Sequence, residues 1–193
     1  MLGIAFKEWA VVCRAVAEGT QTILLRKGGI AEVGGEYRPE HERFWLYPTY
    51  FHERQQDGVR EESIELLDKV EGERPPEGIL RIDTLVEVVR VDYVTDLNLL
   101  LKFEDFHIGT EEMIRGRFHY RKPGVYLHLI RAHRLAEAAL IPEHPAYSGC
   151  KTWVELETPI LSESASPVVT DGDFRARQER YANLLQDKAS AVR

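Results

Sequence analysis

The run from Ile79 to Val94 carries Leu80, Ile82, Leu85, Val86, Val88, Val89, Val91 and Val94, and a stretch so rich in β-branched side chains leaves few folds open. Two heavy atoms on Cβ restrict χ1 against a preceding helical turn, while the same shape packs well on a pleated surface. The run therefore predicts one long strand with a bulge, or two short strands. A second block, Val125 to Leu135, follows a Pro123-Gly124 turn and alternates Val125, Leu127 and Leu129 with Tyr126, His128 and Ile130, the period-two pattern of a strand.

Shorter segments fill in around these two. Lys7 to Glu18 places Trp9, Val12, Cys13 and Val16 on one helical face, with Gly19 as a stop. Thr20 to Arg26 reads as a strand ending at the Gly28-Gly29 turn, and Arg43 to Tyr47 as an aromatic strand that stops or turns at an edge at Pro48. Glu61 to Val70, with Ile64, Leu67 and Val70 on one side, predicts a short helix closed by Gly72 and Pro75-Pro76; Asp105 to Ile114 predicts another. Ala139 to Ser148 reads as a loop, Lys151 to Leu156 as a last strand, and Pro159 to Gly172 as a Ser/Pro/Thr-rich linker before a marginal amphipathic helix, Phe174 to Ala191. The expectation is an α+β domain over residues 1–157, with a mixed or mostly antiparallel sheet and flanking helices. Residues 158–193 form a linker and a C-terminal helical tail, which packs on the domain, frays, or docks a partner or a second copy of the chain.

Charge narrows the function classes. The chain has 25 Lys+Arg against 32 Asp+Glu, a formal net charge of −7, which argues against indiscriminate binding to nucleic acid. Its 44% hydrophobic and 30% charged residues are those of a globular domain. No apolar run approaches a membrane span, the first residues lack a signal-peptide pattern, and two cysteines are too few for a disulfide framework, so a cytoplasmic, reduced setting is expected. Locally the picture changes: residues 53–112 hold 17 acids and 7 cations, while residues 115–134 hold six cations, three histidines and no acid. A basic segment inside an acidic chain suits one confined anion-binding face, or pairing of the two segments across the fold.

Two further clusters suggest what such a face binds. Arg26 and Lys27 precede the Gly28-Gly29 pair, where backbone N–H groups could approach a phosphate, although a tight turn is the commoner reason for two glycines. HERFWLYPTYFHER, from His41 to Arg54, sends Phe44 and Leu46 to one side of a strand and Trp45 and Tyr47 to the other; either both faces are packed, or one is a stacking surface for bases. The leading expectation is a basic, aromatic-lined groove for single-stranded nucleic acid or a nucleotide. Arg26 and Lys27 would contact phosphate, Trp45 and Tyr47 would stack, and Arg121, Lys122, Arg131 and His133 would complete the rim. The competing enzyme reading is a nuclease or other phosphoester hydrolase built on His52, Glu53, His119 and His133; the third is a structural or interaction module. No zinc-ligand spacing, Walker or dinucleotide glycine motif, G-x-S-x-G or H-E-x-x-H appears, so no metal or cofactor is predicted. His128 among apolar neighbours reads as a hydrogen-bonded core histidine, and Cys150 as a small buried residue at a strand start rather than a nucleophile.

KEWAVVCRAVAEGTQTILLRKGGI, FWLYPTYFHE, FHYRKPGVYLHLIRAHRL and YSGCKTWVEL, in this order, resemble the bacterial family known as domain of unknown function 1802, from about Lys7 to Leu156. That resemblance implies no activity and transfers no catalytic residue. At the level of fold, the opening helix followed by Gly19-x-Gln21-Thr22-Ile23-Leu24-Leu25-Arg26 resembles small barrels of the ASCH and PUA-like type, which implies a partly closed β-barrel and contact with RNA or modified bases. Gln21 and Leu24 stand where the ASCH pattern has a lysine and a glutamate, so shared catalytic chemistry is not implied.

Overall fold

The first element is a strand that helical spacing conceals. In a computed structural model of the chain, β1 (Leu2–Trp9) precedes α1 (Ala10–Ala17), so the helix predicted from Lys7 begins three residues later. Ala5 and Phe6 are buried in clusters on opposite faces of the sheet, which only an extended backbone allows. Every residue of α1 except Arg14 is buried. Gly19 ends this segment with φ +75°, and a Cβ there would lie 2.8 Å from Val169 Cγ1, so the stop requires glycine. The structure describes residues 1–28, 30–33, 36–50, 58–149 and 151–190, with the backbone alone at 30–33, 36–37 and 187–190.

The remaining elements are β2 (Ile23–Arg26), β3 (Ile30–Val33), β4 (Glu36–Pro39), β5 (Arg43–Thr49), α2 (Glu65–Gly72), β6 (Ile79–Val94), α3 (Leu97–Leu101), α4 (Glu111–His119), β7 (Val125–Pro142), β8 (Trp153–Ile160), β9 (Ser166–Pro167) and α5 (Asp171–Ser190). β3 and β4 form a separate hairpin. The main sheet runs β2-β7-β6-β5-β1-β8, with β9 also pairing β7. β1 and β5 are parallel and the other pairs antiparallel, so the fold is α+β with a mixed sheet. The sheet stays open between β2 and β8, and the partly closed barrel is not formed.

β6 is the long strand its composition demands, with irregularities between Ile82 and Thr84 and between Val88 and Arg90. β7 runs past Leu135 into the segment expected to be a loop, because Leu140, Ile141 and Pro142 find ladder partners in Arg81, Leu80 and Ile79. β5 continues through Pro48 to Thr49, since β1 pairs alongside it there. In residues 61–72 a 3-10 turn over Glu61–Ser63 rotates the helix: Leu66 and Val70 are buried while Ile64 is exposed. The predicted helix from Asp105 is a 3-10 turn at Glu104–Phe106 and then α4, capped by Thr110 Oγ1 accepting from Met113 N at 3.3 Å. Beyond Pro159, β8 reaches Ile160 and β9 pairs His133 and Arg134. α5 then buries Phe174 and Tyr181 against its own domain, Tyr181 Oη donating to Asp92 at 2.9 Å.

Alternation along β5 divides the core. Phe44 and Leu46 join Phe6, Val11, Leu24, Val86 and Ile130 on the face covered by α1. Trp45 and Tyr47 join Leu85, Leu135, Tyr147 and Val154 on the other. A third cluster, around Phe103, Phe118 and Leu127, packs the helical layer on the far ends of β6 and β7. No helix among the described residues is long and apolar enough to cross a membrane.

Candidate nucleic-acid interface

β2 ends beside the start of β7, α4 runs up to the turn before β7, and β1 ends at Trp9 near the start of β8. These ends enclose a cleft of about 1240 Å³. Arg26, Lys27, Arg117, Arg121 and Lys122 line it, and Glu40 is the one carboxylate among its described lining residues. The rings are Trp9, Tyr93, Tyr120, Tyr126 and Trp153. Tyr93 and Tyr126 are cross-strand partners on β6 and β7 with centroids 4.5 Å apart. Gly124 also lines the cleft at φ +116°, where a Cβ would collide with Tyr93 Oη, so only glycine lets the turn approach this ring.

The cations differ in what they are free to do. Arg26 stacks its guanidinium 4.2 Å from the centroid of Phe6 and has no carboxylate within ion-pair distance among the described residues. Burial lowers its pKa to about 10, with Glu8 opposing and Arg117 adding to the fall, so it stays charged at neutral pH. Lys27 is different: its ammonium donates to the carbonyls of Phe118 at 3.1 Å and Gly124 at 2.6 Å and to that of Lys122. An ammonium has three donors and all three are occupied, tying the end of α4 to the turn before β7. Arg117 donates to the Leu25 carbonyl at 2.8 Å and lies 6.0 Å from the Trp9 ring. Arg121 adopts φ +62°, a left-handed conformation uncommon outside glycine, and lies 5.1 Å over the Tyr120 ring.

Of the eight residues expected in one groove, Arg26, Arg121 and Lys122 line the cleft together. Lys27 is there too, but it holds carbonyls instead of offering a phosphate contact. Trp45 and Tyr47 are not there: they are 0% and 4% exposed, on the opposite side of the sheet. β5 is an interior strand with both faces packed; Trp45 Nε1 donates to the Leu2 carbonyl at 3.1 Å, and Tyr47 Oη to Glu143 at 2.6 Å. Burial, together with the Glu143 carboxylate, pushes the Tyr47 phenol well up. Arg131 and His133 alternate with Ile130 and so point away from the α1 face. Arg131 pairs with Asp171 and covers the Phe174 ring at 5.2 Å. His133 is half-buried, and burial lowers its pKa, with Arg131 and Arg43 adding to the fall and Glu87 opposing.

Of the hydrolase residues, His52 and Glu53 lie outside the described residues, as do Gly29 and Cys150. His119 is exposed at the end of α4, edge-on to Phe118. Among the described residues no three His, Cys, Asp or Glu side chains cluster as a cation site.

Trp9, Tyr93, Arg117, Tyr120, Tyr126 and Trp153 are cleft residues that pattern reading leaves out. Arg117 and Tyr120 fall inside the basic segment, so charge does point to them. Trp9 is hidden by its helical spacing. Trp153 alternates with Val154 on the last strand, and nothing local says which of the two faces a cleft.

Residues 5–180 match the family described as Domain of unknown function (DUF1802). The chain belongs to that family. The match takes in β9 and the first half of α5, with the buried Phe174, so this DUF1802 domain continues well beyond Leu156. No curated protein matches the chain. Among solved structures it is similar to ASCH from Zymomonas mobilis, at 14% identity over 83% of this chain and 89% of that one, TM-score 0.47. It is also similar to a serine-to-alanine mutant of the same protein, at 13% identity over 80% and 87%, TM-score 0.46. Similarity of this size assigns no function to the DUF1802 cleft.

Proposed function

We propose that this DUF1802 chain binds single-stranded nucleic acid or a nucleotide in the cleft between β2, α4 and β8. One observation carries the reading. An acidic chain gathers Arg26, Arg117, Arg121 and Lys122 with Trp9, Tyr120 and Trp153 around one hollow, with a single carboxylate residue among the described ones facing them. Cations that follow a phosphate backbone beside exposed ring faces are the arrangement that single strands need, because every base has a π face to stack. Tyr120, 56% exposed, and the guanidinium of Arg121 above it form the outer lip. The reduced, cytoplasmic setting expected from the cysteine count suits such a ligand.

The test is a titration of single-stranded RNA and DNA oligomers followed by fluorescence anisotropy. Three or four phosphate contacts predict that affinity falls about twenty- to fiftyfold between about 50 and about 200 mM salt. Absence of binding at the lower salt, or binding indifferent to salt, removes the proposal.

A further inference from the structure

The cleft has two unlike walls, one from each edge of the open sheet, β2 and β8. All five of its cations belong to the β2 side. Arg26 ends β2 and Lys27 follows it; Arg117 is on α4, and Arg121 and Lys122 are in the turn that Lys27 ties to α4. The β8 side supplies no cation among the described residues. It offers Trp153, and Trp9 from the neighbouring β1. Glu40 stands on this side too: Pro39 before it shares a small hollow with Trp153, and the His41 ring after it lies 4.7 Å from the Trp153 ring. The walls meet at the floor, where Arg26 reaches the Phe6 ring of β1 at 4.2 Å.

Glu40 is exposed, and no hydrogen bond or ion pair holds its carboxylate among the described residues. The nearby Glu8 is buried, accepts from the Trp9 amide at 2.9 Å and does not line the cleft, so Glu40 is the acid a ligand meets. Charge then orients a nucleotide. Its phosphate is drawn to the cationic wall and repelled by the carboxylate, which turns the base toward Trp153 and Glu40. A carboxylate only accepts, and its two oxygens suit two parallel N–H donors. On their pairing edges, adenine and cytosine each set one amino donor beside a ring-nitrogen acceptor, and uracil sets one N–H between two carbonyls. Those acceptors repel a carboxylate. Guanine alone among the four presents two adjacent donors, N1–H and the 2-amino group.

We infer that the cleft selects guanine, with Glu40 as the residue that reads its pairing edge. The inference rests on the cleft being a nucleic-acid or nucleotide site, and its test separates the two. Short uridine-rich RNAs that differ only in one central base are titrated at one low salt concentration and followed by fluorescence anisotropy. The guanine strand is expected to bind about tenfold tighter than the adenine, cytosine or all-uridine strand, the discrimination one bidentate contact gives. A hypoxanthine strand keeps N1–H and lacks the 2-amino group, and should bind about threefold more weakly than guanine, the loss of one hydrogen bond. Glu40→Gln removes one of the two acceptors and the charge, and should bring the guanine strand to within about twofold of the adenine strand. The hypoxanthine comparison uses the native chain, so it does not depend on the variant folding. Equal binding of all the strands, hypoxanthine binding as tightly as guanine, or a full guanine preference in Glu40→Gln overturns the inference and leaves the cleft reading standing. No binding of any strand overturns both.

Discussion

Two sets of aromatic rings share this molecule, and they differ in what stands behind them. The rings of β5, Trp45 and Tyr47, lie on an interior strand whose two faces are both covered, and their polar ends are satisfied by Leu2 and Glu143. The rings of the cleft, Trp9, Tyr120 and Trp153, come from strand and helix ends where cations line the same space; Trp9 and Trp153 also pack on the core, Trp153 edge-on to Phe6 and Phe44. Ring density along the chain therefore marks the core, and ring position at element ends marks the candidate site. The neighbouring cations Arg26 and Lys27 repeat the contrast: Lys27 has its donors fully occupied by carbonyls, and Arg26 has no carboxylate within ion-pair distance among the described residues.

Four measurements break or sharpen this contrast. Trp45→Ala should cost about 3–5 kcal/mol in a urea titration, the usual penalty for emptying a buried ring site. If it instead weakens oligonucleotide binding at unchanged stability, the two ring sets have been assigned the wrong way round. The histidines come next. Burial lowers the pKa of both His107 and His128 to about 4, with Arg60 and Arg26 respectively adding to the fall. Below an unfolded-state pKa near 6.5 the unfolded chain binds protons that the folded one refuses. The stability these groups contribute is complete above pH about 6.5 and is lost as pH falls toward 4, on the order of 3 kcal/mol for each histidine. Thermal unfolding followed across that window should show the decline, and His128→Gln should remove about half of it. A flat profile would mean that the cleft floor is wet.

Tyr120→Ala is the surface counterpart of the Trp45 variant. It should leave the unfolding midpoint unchanged and cost about 1–3 kcal/mol of single-strand binding, the worth of one stacked base. Lys27→Met is the smallest. It should cost about 1 kcal/mol of stability by releasing the end of α4, a neutral-to-charged hydrogen-bond effect in a half-exposed setting. A large binding loss without any stability loss would return Lys27 to the role of phosphate ligand.

Much of the architecture is legible from local pattern. The β-branched run predicts β6, alternation predicts the start of β7, and Gly19 predicts the end of α1, because each depends on contacts within a few residues or on one backbone angle. β1 escapes because Trp9, Val12, Cys13 and Val16 fit a helical face just as α1 begins, and short apolar spacings near an element boundary fit both periods. The extension of β7 to Pro142 escapes because its partners, Ile79 to Arg81, are far away in sequence. The C-terminal segment reads as a tail because its apolar residues are few; its docking shows only in long-range contacts, Tyr181 on Phe103 and Asp92, β9 on β7 and Asp171 on Arg131.

By itself, the sequence determined the α+β composition, the family, and the concentration of positive charge in residues 115–134 within an acidic chain. Tertiary structure alone decided which half of that basic segment joins Arg26. Arg117, Arg121 and Lys122 precede β7 and lie at the cleft, while Arg131 and His133 sit along it on the other face. A strand turns successive side chains to opposite sides, so neighbours in sequence part company, and only the packing of α1 against one face settles which side each one takes.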